Sequence, residues 1–417
     1  MGILSKAFER RVSVSDLKNP EYWLLGSLGG GGSTATGKTI GAEGSLAFVP
    51  VYACVRLLAT SIASLPLPVY RRLPGGGKER DSNHPLYAVL HDQPNPEMTS
   101  CELRQAMVGH LMLWGNAYAN IVLDGAGQAA ELWPMRPDRM QVERSPRTGR
   151  LVYRYTLPGG EQRVLLDDEV MHWRGLSSDG VMGYSPITLA REAVGMGLAA
   201  EEYAARFFGN DSRPGGVLKS PKVMGPEAAK NLKESWESAH GGLTNRHRVA
   251  VLEEGVEWQA IGIPPRDAQF LELRQFQRSE IAMLFGVPPH MIGDTERSTS
   301  WGTGIEQQGI GFVTYTLRPW LVAIEQRIRA DLFTEADRAT WFAEFLVDGL
   351  LRGDSKARAE ALAIQRQNGI INADEWREIE NRNPLPEGQG QVFLVNSAMI
   401  SPAQAGQNGG NDGEAGA

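Results

Sequence analysis

The hydrophobic positions of this chain follow a helical period in the segment that comes after residue 48. The apolar positions of this segment are Val51, Cys54, Val55, Leu58 and Ile62. They recur three or four residues apart, which predicts an amphipathic helix that begins near Phe48. Pro66 and Pro68 end this helix, and the run PVYRR predicts a strand after it.

A second helical pattern, from Thr99 to Leu113, leads into a segment with a different period. Between residues 117 and 174 the apolar positions alternate in short runs, which predicts strands. These runs are NAYANIVLD, AAELWPM, MQVER, LVYRYTL, QRVLL and VMHWRG. The turns DGAG, PRTG and LPGG separate several of them, so the pattern predicts an antiparallel β-rich module.

Longer helices follow the β-rich module. One helix is predicted from Ser185, its N-cap, through residue 208, with Pro186 at its first position and Gly209 after its end. Residues 213–263 are predicted to form a compact insertion. Its elements are a strand at GGVLKS, a helix over 226–240 and a hairpin over 247–262. A further helix is predicted over 267–285.

The last part of the chain combines a polar loop with helices and a tail. The loop GDTERSTSWGTG is rich in small residues and contains glycine at both ends. A long helix is predicted from Ile305 to Leu332 with a kink at Pro319. A shorter helix begins at Asn372, which forms a capping-box pattern with Glu375. The final residues AQAGQNGGNDGEAGA predict a disordered tail.

Composition is that of a globular protein with a core of ordinary size. The chain has 417 residues, of which 42% are hydrophobic and 22% charged, and this length suits two or three domains. The formal net charge of -7 argues against tight, sequence-reading DNA binding, which usually shows a basic footprint. Cys54 and Cys101 lie in apolar helical patterns and are predicted to be buried, reduced thiols. Neither a signal peptide nor a membrane span is visible, which predicts a soluble, intracellular chain.

The segment GSTATGKT fits the phosphate-binding pattern G-x-x-x-x-G-K-[ST], with Gly32, Gly37, Lys38 and Thr39 at its key positions. A working phosphate-binding loop needs a buried strand directly before it and a helix that starts at Gly-Lys-Thr. Here a glycine run precedes the pattern, and each glycine of the following IGAEG would destabilise such a helix by about 1 kcal/mol relative to alanine. We therefore expect a chance match in a mobile segment, with no bound cofactor.

The other candidate residues do not assemble into a catalytic or metal-binding set. The seven histidines are scattered, and no pair has the spacing of a helical metal site, so surface or structural roles are expected. Ser185 lies in GYSPIT, which lacks the frame of a nucleophile elbow, and capping of the following helix explains this serine. The sequence thus predicts neither catalytic residues nor a metal site.

The segment IPPRDAQFLELRQFQRSEIAMLFGVPPHMIGD, over residues 263–294, is one of an ordered series. The other segments are VYACVRLLATSIASLPLPVYRR, HPLYAVLHDQPNPEMTS, GNAYANI, ELWPMRPDRM, GYSPITLAREAVGMGLAAEEYAARFFGN, RPGGVL and IEQQGIGFVTYTLRPWLVAIEQRI. They cover residues 45–387, nearly the whole chain outside its Gly-rich ends. In order and spacing the series resembles the HK97-type phage portal proteins, a family that includes the portals of gene transfer agents.

The resemblance implies an α+β portal fold with a β-rich wing, two long stem helices, a small α/β clip and a helical crown, assembled as a ring. The expected parts are a flexible Gly-rich segment over 1–44, the wing over 45–184, stem helices over 185–208 and 264–286, the clip over 209–263, the tunnel-loop region over 287–303, a wing helix over 304–349, the crown over 350–387 and a disordered tail over 388–417. Helices with apolar residues on more than one face, such as FLELRQFQRSEIAMLF, suit a ring whose subunits meet through two different surfaces.

The same resemblance implies a structural protein without catalysis. It implies a ring, usually dodecameric, at one capsid vertex, through whose channel double-stranded DNA is packaged and ejected. The implied partners are the large terminase, which hydrolyses ATP, a head-tail adaptor, the major capsid and scaffold proteins, and DNA bound without sequence preference. The implied location is the virion portal vertex, and the host cytoplasm during assembly, without membrane contact.

Two sets of residues are expected to carry these contacts. The DNA-channel loop comprises Asp294, Thr295, Glu296, Arg297, Ser298, Thr299, Ser300 and Trp301, and the clip residues expected to face partners are Glu234, Trp236, His240, Glu253 and Glu254. Arg297 is the only cation of the loop, so we expect weak contact that lets duplex DNA slide. The alternatives are a P-loop NTPase and another ring-forming head-tail connector, a class that is generally much shorter.

Overall fold

The fold combines helices with small antiparallel sheets. The computed structural model describes residues 34–209, 216–219, 225–227, 230–231, 234, 257–260, 266–294, 303–347, 355–380 and 382–394. Up to residue 174 the elements are α1 (Val49–Ala63), β1 (Val69–Arg72), β2 (Lys78–Arg80), α2 (Pro85–Tyr87), α3 (Ser100–Trp114), β3 (Asn116–Leu123), β4 (Ala129–Met135), β5 (Met140–Arg144), β6 (Leu151–Thr156), β7 (Gln162–Leu166) and β8 (Val170–Arg174). Beyond it they are α4 (Pro186–Leu189), α5 (Arg191–Gly209), β9 (Gly216–Lys219), β10 (Glu257–Ala260), α6 (Arg266–Leu284), α7 (Thr303–Gly311), α8 (Arg318–Asp331), β11 (Trp341–Ala343), α9 (Ser355–Gln367) and α10 (Ala373–Ile379).

The strands predicted between residues 117 and 174 are confirmed as β3 to β8, and they form two antiparallel sheets. The strand orders are β4-β3-β8 and β5-β6-β7. The glycine turns DGAG, PRTG and LPGG close the hairpins, as predicted. Alternation decides which face is buried, since Tyr153 of β6 is buried between the more exposed Val152 and Arg154.

A third sheet joins parts of the chain that are far apart in sequence. β1 lies between β2 and β11. It pairs with β11 in antiparallel register, with Val69 opposite Ala343 and Tyr70 opposite Phe342. The sequence pattern does not predict β11, because a strand of three residues has too few positions to show alternation.

The main core lies around α1 and α3. Every apolar position predicted for α1 is buried. The same core contains Leu103, Met107 and Leu111 of α3, Leu321, Ile324 and Ile328 of α8, Ile281 of α6, and Phe285 directly after α6. We call residues 49–174 together with α8 and β11 the body. α8 and β11 belong to the main core of the body although they come late in the sequence, and β5 to β7 contribute to a second, smaller buried cluster with Tyr118 of β3 and Val170 of β8.

A buried cation lies where α1 ends. Arg104 of α3 is 7% exposed, and its guanidinium donates hydrogen bonds to backbone carbonyls. Nη2 donates to the oxygen of Ala63 at 2.9 Å, and Nη1 donates to the oxygen of Leu90 at 2.8 Å. Ala63 is the last residue of α1, so the charge lies at the negative end of the helix dipole. Arg104 thereby joins α1, α3 and the segment after α2.

The helix predicted over 305–332 is present, but it is not uniform. α7 is followed by a π-helix over Phe312–Leu317 and then by α8. Pro319, the predicted kink, lies at the start of α8. Proline has no backbone N–H to donate to the carbonyl of the preceding turn, and the wider π turn accommodates this interruption.

The helix predicted over 185–208 is divided in two. Ser185 caps α4 as predicted, because its hydroxyl accepts a hydrogen bond from the N–H of Thr188 at 3.1 Å. The same hydroxyl donates to the oxygen of Leu113 at 2.7 Å, which ties α4 to α3. At Ala190 the backbone leaves helical geometry, with φ -97° and ψ 18°, and α5 begins at the next residue. The spacing of apolar residues does not reveal the hydrogen bond between Ser185 and α3, so the sequence does not predict the break at Ala190.

The tail expected to be disordered from residue 388 is ordered in its first part. The segment Pro386–Gln391, which is 3-10 helical apart from Glu387 and Gly388, lies against α10. The N–H of Leu385 donates to the carboxylate of Asp374 at 2.7 Å. Gly390 lies so close to Asp374 that a Cβ at Gly390 would be 1.9 Å from a carboxylate oxygen. Contact with α10 therefore orders residues whose composition predicts disorder.

The two cysteines differ in their surroundings. Cys54 is buried as expected, and burial raises the pKa of its thiol to about 12. The expectation of burial is wrong for Cys101, which is exposed because it lies beside the buried face of α3. The chain thus carries one thiol that solvent reaches and one that it does not.

Arg104→Met is expected to lower the free energy of unfolding by about 2 kcal/mol, because the carbonyls of Ala63 and Leu90 lose their donor. Urea unfolding followed by tryptophan fluorescence measures the change. Arg56→Met is the matched control, since Arg56 is exposed on α1 and its replacement should change the free energy by at most about 0.5 kcal/mol. Equal effects of the two substitutions would contradict the role of Arg104.

Candidate functional site

Residues 34–48 lie along α5, and we call them the N-terminal strap. The hydroxyl of Thr34 donates to the oxygen of Lys38 at 3.0 Å and accepts from its N–H at 3.0 Å, which closes a tight turn. The N–H of Ala35 donates to the carboxylate of Glu192 at 3.0 Å. The ammonium of Lys38 forms an ion pair with Glu202. The strap therefore contacts α5 along more than two of its turns.

Two glycines of α5 create the space for the strap. A Cβ at Gly195 would be 2.6 Å from the side chain of Thr34, and a Cβ at Gly197 would be 2.3 Å from the ring of Phe48. The buried residues of the strap are Thr34, Ile40, Ser45 and Phe48. The expectation of a loosely ordered segment is therefore wrong for residues 34–44. Packing against a distant helix orders them, and local composition does not reveal that packing.

The P-loop-like pattern does not adopt phosphate-loop geometry in its described part. Between Gly37 and Phe48 the only helical turn is the 3-10 helix Gly44–Ala47, and α1 begins at Val49 rather than at Gly-Lys-Thr. The ammonium of Lys38, which would contact the outer phosphates, is paired with a carboxylate. Thr39 lies directly after this turn, and Gly32 lies outside the described residues.

α5 and α6 form an antiparallel pair, which we call the helix pair. Nη2 of Arg274 in α6 donates to Oε1 of Glu201 in α5 at 3.0 Å. At the other end, Val194 of α5 is buried in the same core as Ile281 of α6 and Phe285, which directly follows α6. The first half of α5 thus lies level with the second half of α6, and both are anchored in the body at that end.

The predicted DNA-channel loop starts beside α6. Its first residue is Asp294, whose carboxylate accepts a hydrogen bond from the hydroxyl of Ser279 at 3.1 Å. The N–H of Asp294 also donates to the oxygen of Pro289 at 3.1 Å. The rest of the loop lies outside the described residues, namely Thr295, Glu296, Arg297, Ser298, Thr299, Ser300 and Trp301. The loop therefore begins at a position held by α6.

The predicted insertion is described only in pieces. Its strand at GGVLKS is confirmed as β9, which pairs antiparallel with β10. Glu234 is exposed in a helical stretch, and Nζ of Lys230 lies 3.8 Å from its carboxylate. The other residues expected to face partners, Trp236, His240, Glu253 and Glu254, fall in the part of the chain that is not described.

Three glycines let two backbone segments come into direct contact. One segment is the end of α3, and the other connects β8 to α4. Gly115 ends α3 with a φ of 72°, and its oxygen accepts from the N–H of Gly175 at 2.8 Å. A Cβ at Gly183 would be 2.0 Å from the oxygen of Gly115, and a Cβ at Gly115 would be 2.0 Å from the oxygen of Tyr184. Because no side chain fits at either position, only glycine permits this approach. We call Gly115, Gly175 and Gly183 the glycine crossing.

Asn116 joins the glycine crossing to a buried histidine. Its Oδ1 accepts from the N–H of Gly183 at 2.9 Å, and its Nδ2 donates to the oxygen of the same residue at 2.8 Å. This double contact assigns the amide orientation. Oδ1 also lies 3.0 Å from Nε2 of His172, so His172 carries its proton on Nε2. Nδ1 then accepts from Nε of Arg174 at 3.1 Å.

The surroundings of His172 favour its neutral form and attach α8 to β8. Burial lowers the pKa of His172 well below its usual range, and the guanidinium groups of Arg174 and Arg327 lower it further. The backbone N–H of His172 donates to the carboxylate of Asp331 at 3.2 Å, and the backbone oxygen of His172 accepts from Nε of Arg327 at 3.1 Å. Burial also raises the pKa of Asp331, although Arg327 is its ion-pair partner. This group is polar, buried and structural.

The residues around His172 are not singled out by the sequence patterns. The available signals were a histidine within the apolar run VMHW and an asparagine directly after the glycine that ends α3. Within the described ranges, no group of three His, Cys, Asp or Glu side chains is arranged to hold a metal ion. Among the described helices, none has both the length and the apolar character to cross a membrane.

The sequence model of the phage portal protein family matches residues 50–381. The chain belongs to this family. The probable portal protein of Streptomyces phage phiC31 is 38% identical over 388 residues, which cover 90% of this chain and 82% of that protein. The portal protein of Enterobacteria phage HK97 is 36% identical over 352 residues, covering 84% of this chain and 82% of that protein. The resemblance seen in the sequence is confirmed.

Solved structures share the fold of this portal-family chain. A chain in the virion of a native gene transfer agent particle is 25% identical with a TM-score of 0.62, and the match covers 87% of this chain and 99% of that chain. An HK97 family portal protein from Corynebacterium diphtheriae is 19% identical with a TM-score of 0.51, covering 78% of this chain and 100% of that chain. The chain therefore has the α+β portal fold.

The free energy of unfolding is expected to fall as the pH drops below about 6.5, because the unfolded chain binds a proton on His172 that the folded protein excludes. One excluded proton gives a slope of about 1.4 kcal/mol per pH unit. His172→Asn should reduce the slope by up to this amount in urea unfolding between about pH 5 and about pH 8.

Tyr153→Phe is the control for this titration. It removes the hydroxyl that lies 3.3 Å from Nδ1 of His172 but keeps the imidazole. We expect it to lower the free energy of unfolding by about 1 kcal/mol at every pH and to leave the slope as in the wild type. A slope that His172→Asn does not change would contradict the assignment.

Proposed function

We propose that this portal-family chain forms a dodecameric ring at one capsid vertex and that double-stranded DNA passes through its channel during packaging and ejection. The observation that carries the proposal is the likeness to the chain of the gene transfer agent virion, because the match covers 99% of that chain at 25% identity. Related neck structures were computed with C6 and C12 symmetry. The proposed ring belongs to the virion, and its assembly takes place in the host cytoplasm.

In the proposed ring, the body is the wing, the helix pair is the stem, residues 209–263 are the clip, and α9 and α10 belong to the crown. The support is the order and anchoring of the elements. The helix pair is buried in the body at one end. β9 and β10 lie between α5 and α6 in sequence and pair with each other, as expected of a small unit beyond the other end of the stem.

The DNA-channel loop, residues 294–301, is proposed to line the narrow part of the channel. Its start beside α6 and its composition support this role, because Asp294 and Glu296 outnumber Arg297. A loop with this charge holds the phosphate backbone weakly, so the duplex slides. Nanomolar, sequence-selective duplex binding by the isolated ring would contradict this role.

The clip residues Glu234, Trp236, His240, Glu253 and Glu254 are proposed to contact the large terminase and later the head-tail adaptor. Their place between the two stem helices in sequence supports this, as does the exposure of Glu234. The wing would contact the major capsid and scaffold proteins. In this proposal the terminase hydrolyses ATP, and the chain itself is not an enzyme.

Electron microscopy of the purified chain tests the proposed ring. The expected result is a wide ring with a central hole and twelvefold symmetry, because each subunit would meet its neighbours through two different surfaces. Native mass spectrometry on the same sample should give twelve times the chain mass of 45.6 kDa. A compact monomer at every concentration tested would contradict the proposal.

Lys38→Ala separates a portal from a P-loop NTPase. We expect rings and DNA packaging close to wild type and no ATP turnover by either ring, because Lys38 forms a partly exposed ion pair with Glu202 that typically contributes at most about 1 kcal/mol. Glu202→Gln is the matched control, since it breaks the same ion pair and keeps the lysine. If Lys38→Ala rings form but fail to package DNA while Glu202→Gln rings package it, the nucleotide site would be favoured instead.

A further inference from the structure

Two stripes of apolar side chains are exposed on the helix pair. The α5 stripe consists of Met196 and Tyr203, which lie seven residues apart and are 42% and 58% exposed. Leu189 lies in α4, before the break at Ala190, so the helical period of α5 does not extend to it. The α6 stripe consists of Phe276 and Met283, with the same spacing and with 60% and 72% exposure. Seven residues make nearly two helical turns, so the members of a stripe share one face.

The two stripes face away from each other. The helices meet at Glu201 of α5 and Arg274 of α6. At about 100° per residue, Met196 and Tyr203 lie about 200–220° around α5 from Glu201. Both residues of the α6 stripe lie about 180–200° around α6 from Arg274. The helix pair thus has an apolar surface on each of its two outer sides.

A closed ring of identical subunits uses this kind of arrangement. Each subunit meets its two neighbours through two different surfaces, and the contact repeats until the ring closes. Large apolar side chains suit a protein partner, whereas a surface that faces DNA phosphates is expected to be polar. The occupant that fits each stripe is therefore a second copy of this chain. This step rests on the ring proposed above.

The stripes also interleave along the helix axis. Relative to the ion pair that joins the helices, Met196 lies about 7.5 Å toward the body, and Tyr203 lies about 3 Å in the opposite direction. Because α6 runs antiparallel to α5, Phe276 lies about 3 Å and Met283 about 13.5 Å toward the body. Neighbouring subunits of a ring are related by rotation about the ring axis, and this rotation does not change the height of a residue along the axis. If the helix pair runs along the axis, residues that touch across the contact must therefore lie at similar heights.

We propose that the α6 stripe of each subunit packs against the α5 stripe of the next subunit. In this register Phe276 lies between the partner subunit's Tyr203 and the partner subunit's Met196. Met283 lies about 6 Å to the body side of the partner subunit's Met196. Phe276 then fills the space between two side chains of the α5 stripe, as knobs fill holes in coiled coils.

Cysteine cross-linking in a Cys101→Ser background tests this register, because Cys101 is exposed and Cys54 is buried. With Met283→Cys and Met196→Cys in one chain, the two positions differ by about 6 Å in height. A short bis-maleimide should then link neighbours into a ladder of multimers. With Met283→Cys and Tyr203→Cys the difference is about 16.5 Å, so the ladder should be lost. Each single substitution should give no ladder, because this contact never joins two copies of one residue.

The outcomes separate this register from the proposed ring. Rings that form normally but whose matched pair cross-links no better than the mismatched pair would overturn the register and leave the proposed function standing. A wild-type chain that forms no rings would overturn both. If paired cysteines prevent assembly, Met283→Leu should keep the rings, and Met283→Asp should give monomers whose far-ultraviolet circular dichroism spectrum, per residue, matches that of the Met283→Leu rings. Intact rings of Met283→Asp would then overturn the register.

Discussion

The close approach of two backbone segments at Gly115, Gly175 and Gly183 is the constraint on which the arrangement of this portal-family subunit depends. One segment is the end of α3, and the other runs from the end of β8 to the start of α4. They touch at this point without intervening side chains. The side chain of Asn116 forms hydrogen bonds with the backbone N–H and oxygen of Gly183. His172, which lies within hydrogen-bond distance of Asn116, is linked in turn to Asp331 of α8. The helix pair begins just beyond this point, so a buried backbone contact fixes its start.

The N-terminal strap provides a second attachment between the helix pair and the body. Lys38 pairs with Glu202 of α5, and Glu43 pairs with Arg136 after β4 at 2.7 Å. Both ion pairs are partly exposed and contribute little on their own. The close fit of the strap to the glycines of α5 matters more, because it excludes water from the buried side chains. Among the small residues that imitate a phosphate-binding loop, Thr34 packs against a glycine of α5, Gly195.

Features with local causes could be predicted from the sequence, and features with distant causes could not. The spacing of apolar residues predicts α1, alternation between glycine turns predicts β3 to β8, and the capping box of Asn372 and Glu375 predicts the start of α10. β11, the order of the strap and the break at Ala190 all depend on contacts with remote segments. For the site, the role of Ser185 follows from a local rule. The group around His172 does not, because the fold brings it together, and the loop and clip assignments rest on the family resemblance.

The pairing of β1 with β11 has a consequence for how the subunit is made. β1 leaves the ribosome long before β11, and the core around α1 lacks Leu321, Ile324 and Ile328 until α8 has followed. Translation therefore has to produce the whole helix pair before β1, which also pairs with the nearby β2, can pair with β11. Contacts of such sequence separation form slowly, since a long loop must close first. The nascent chain spends this interval with apolar surface unburied, and such surface is prone to aggregation.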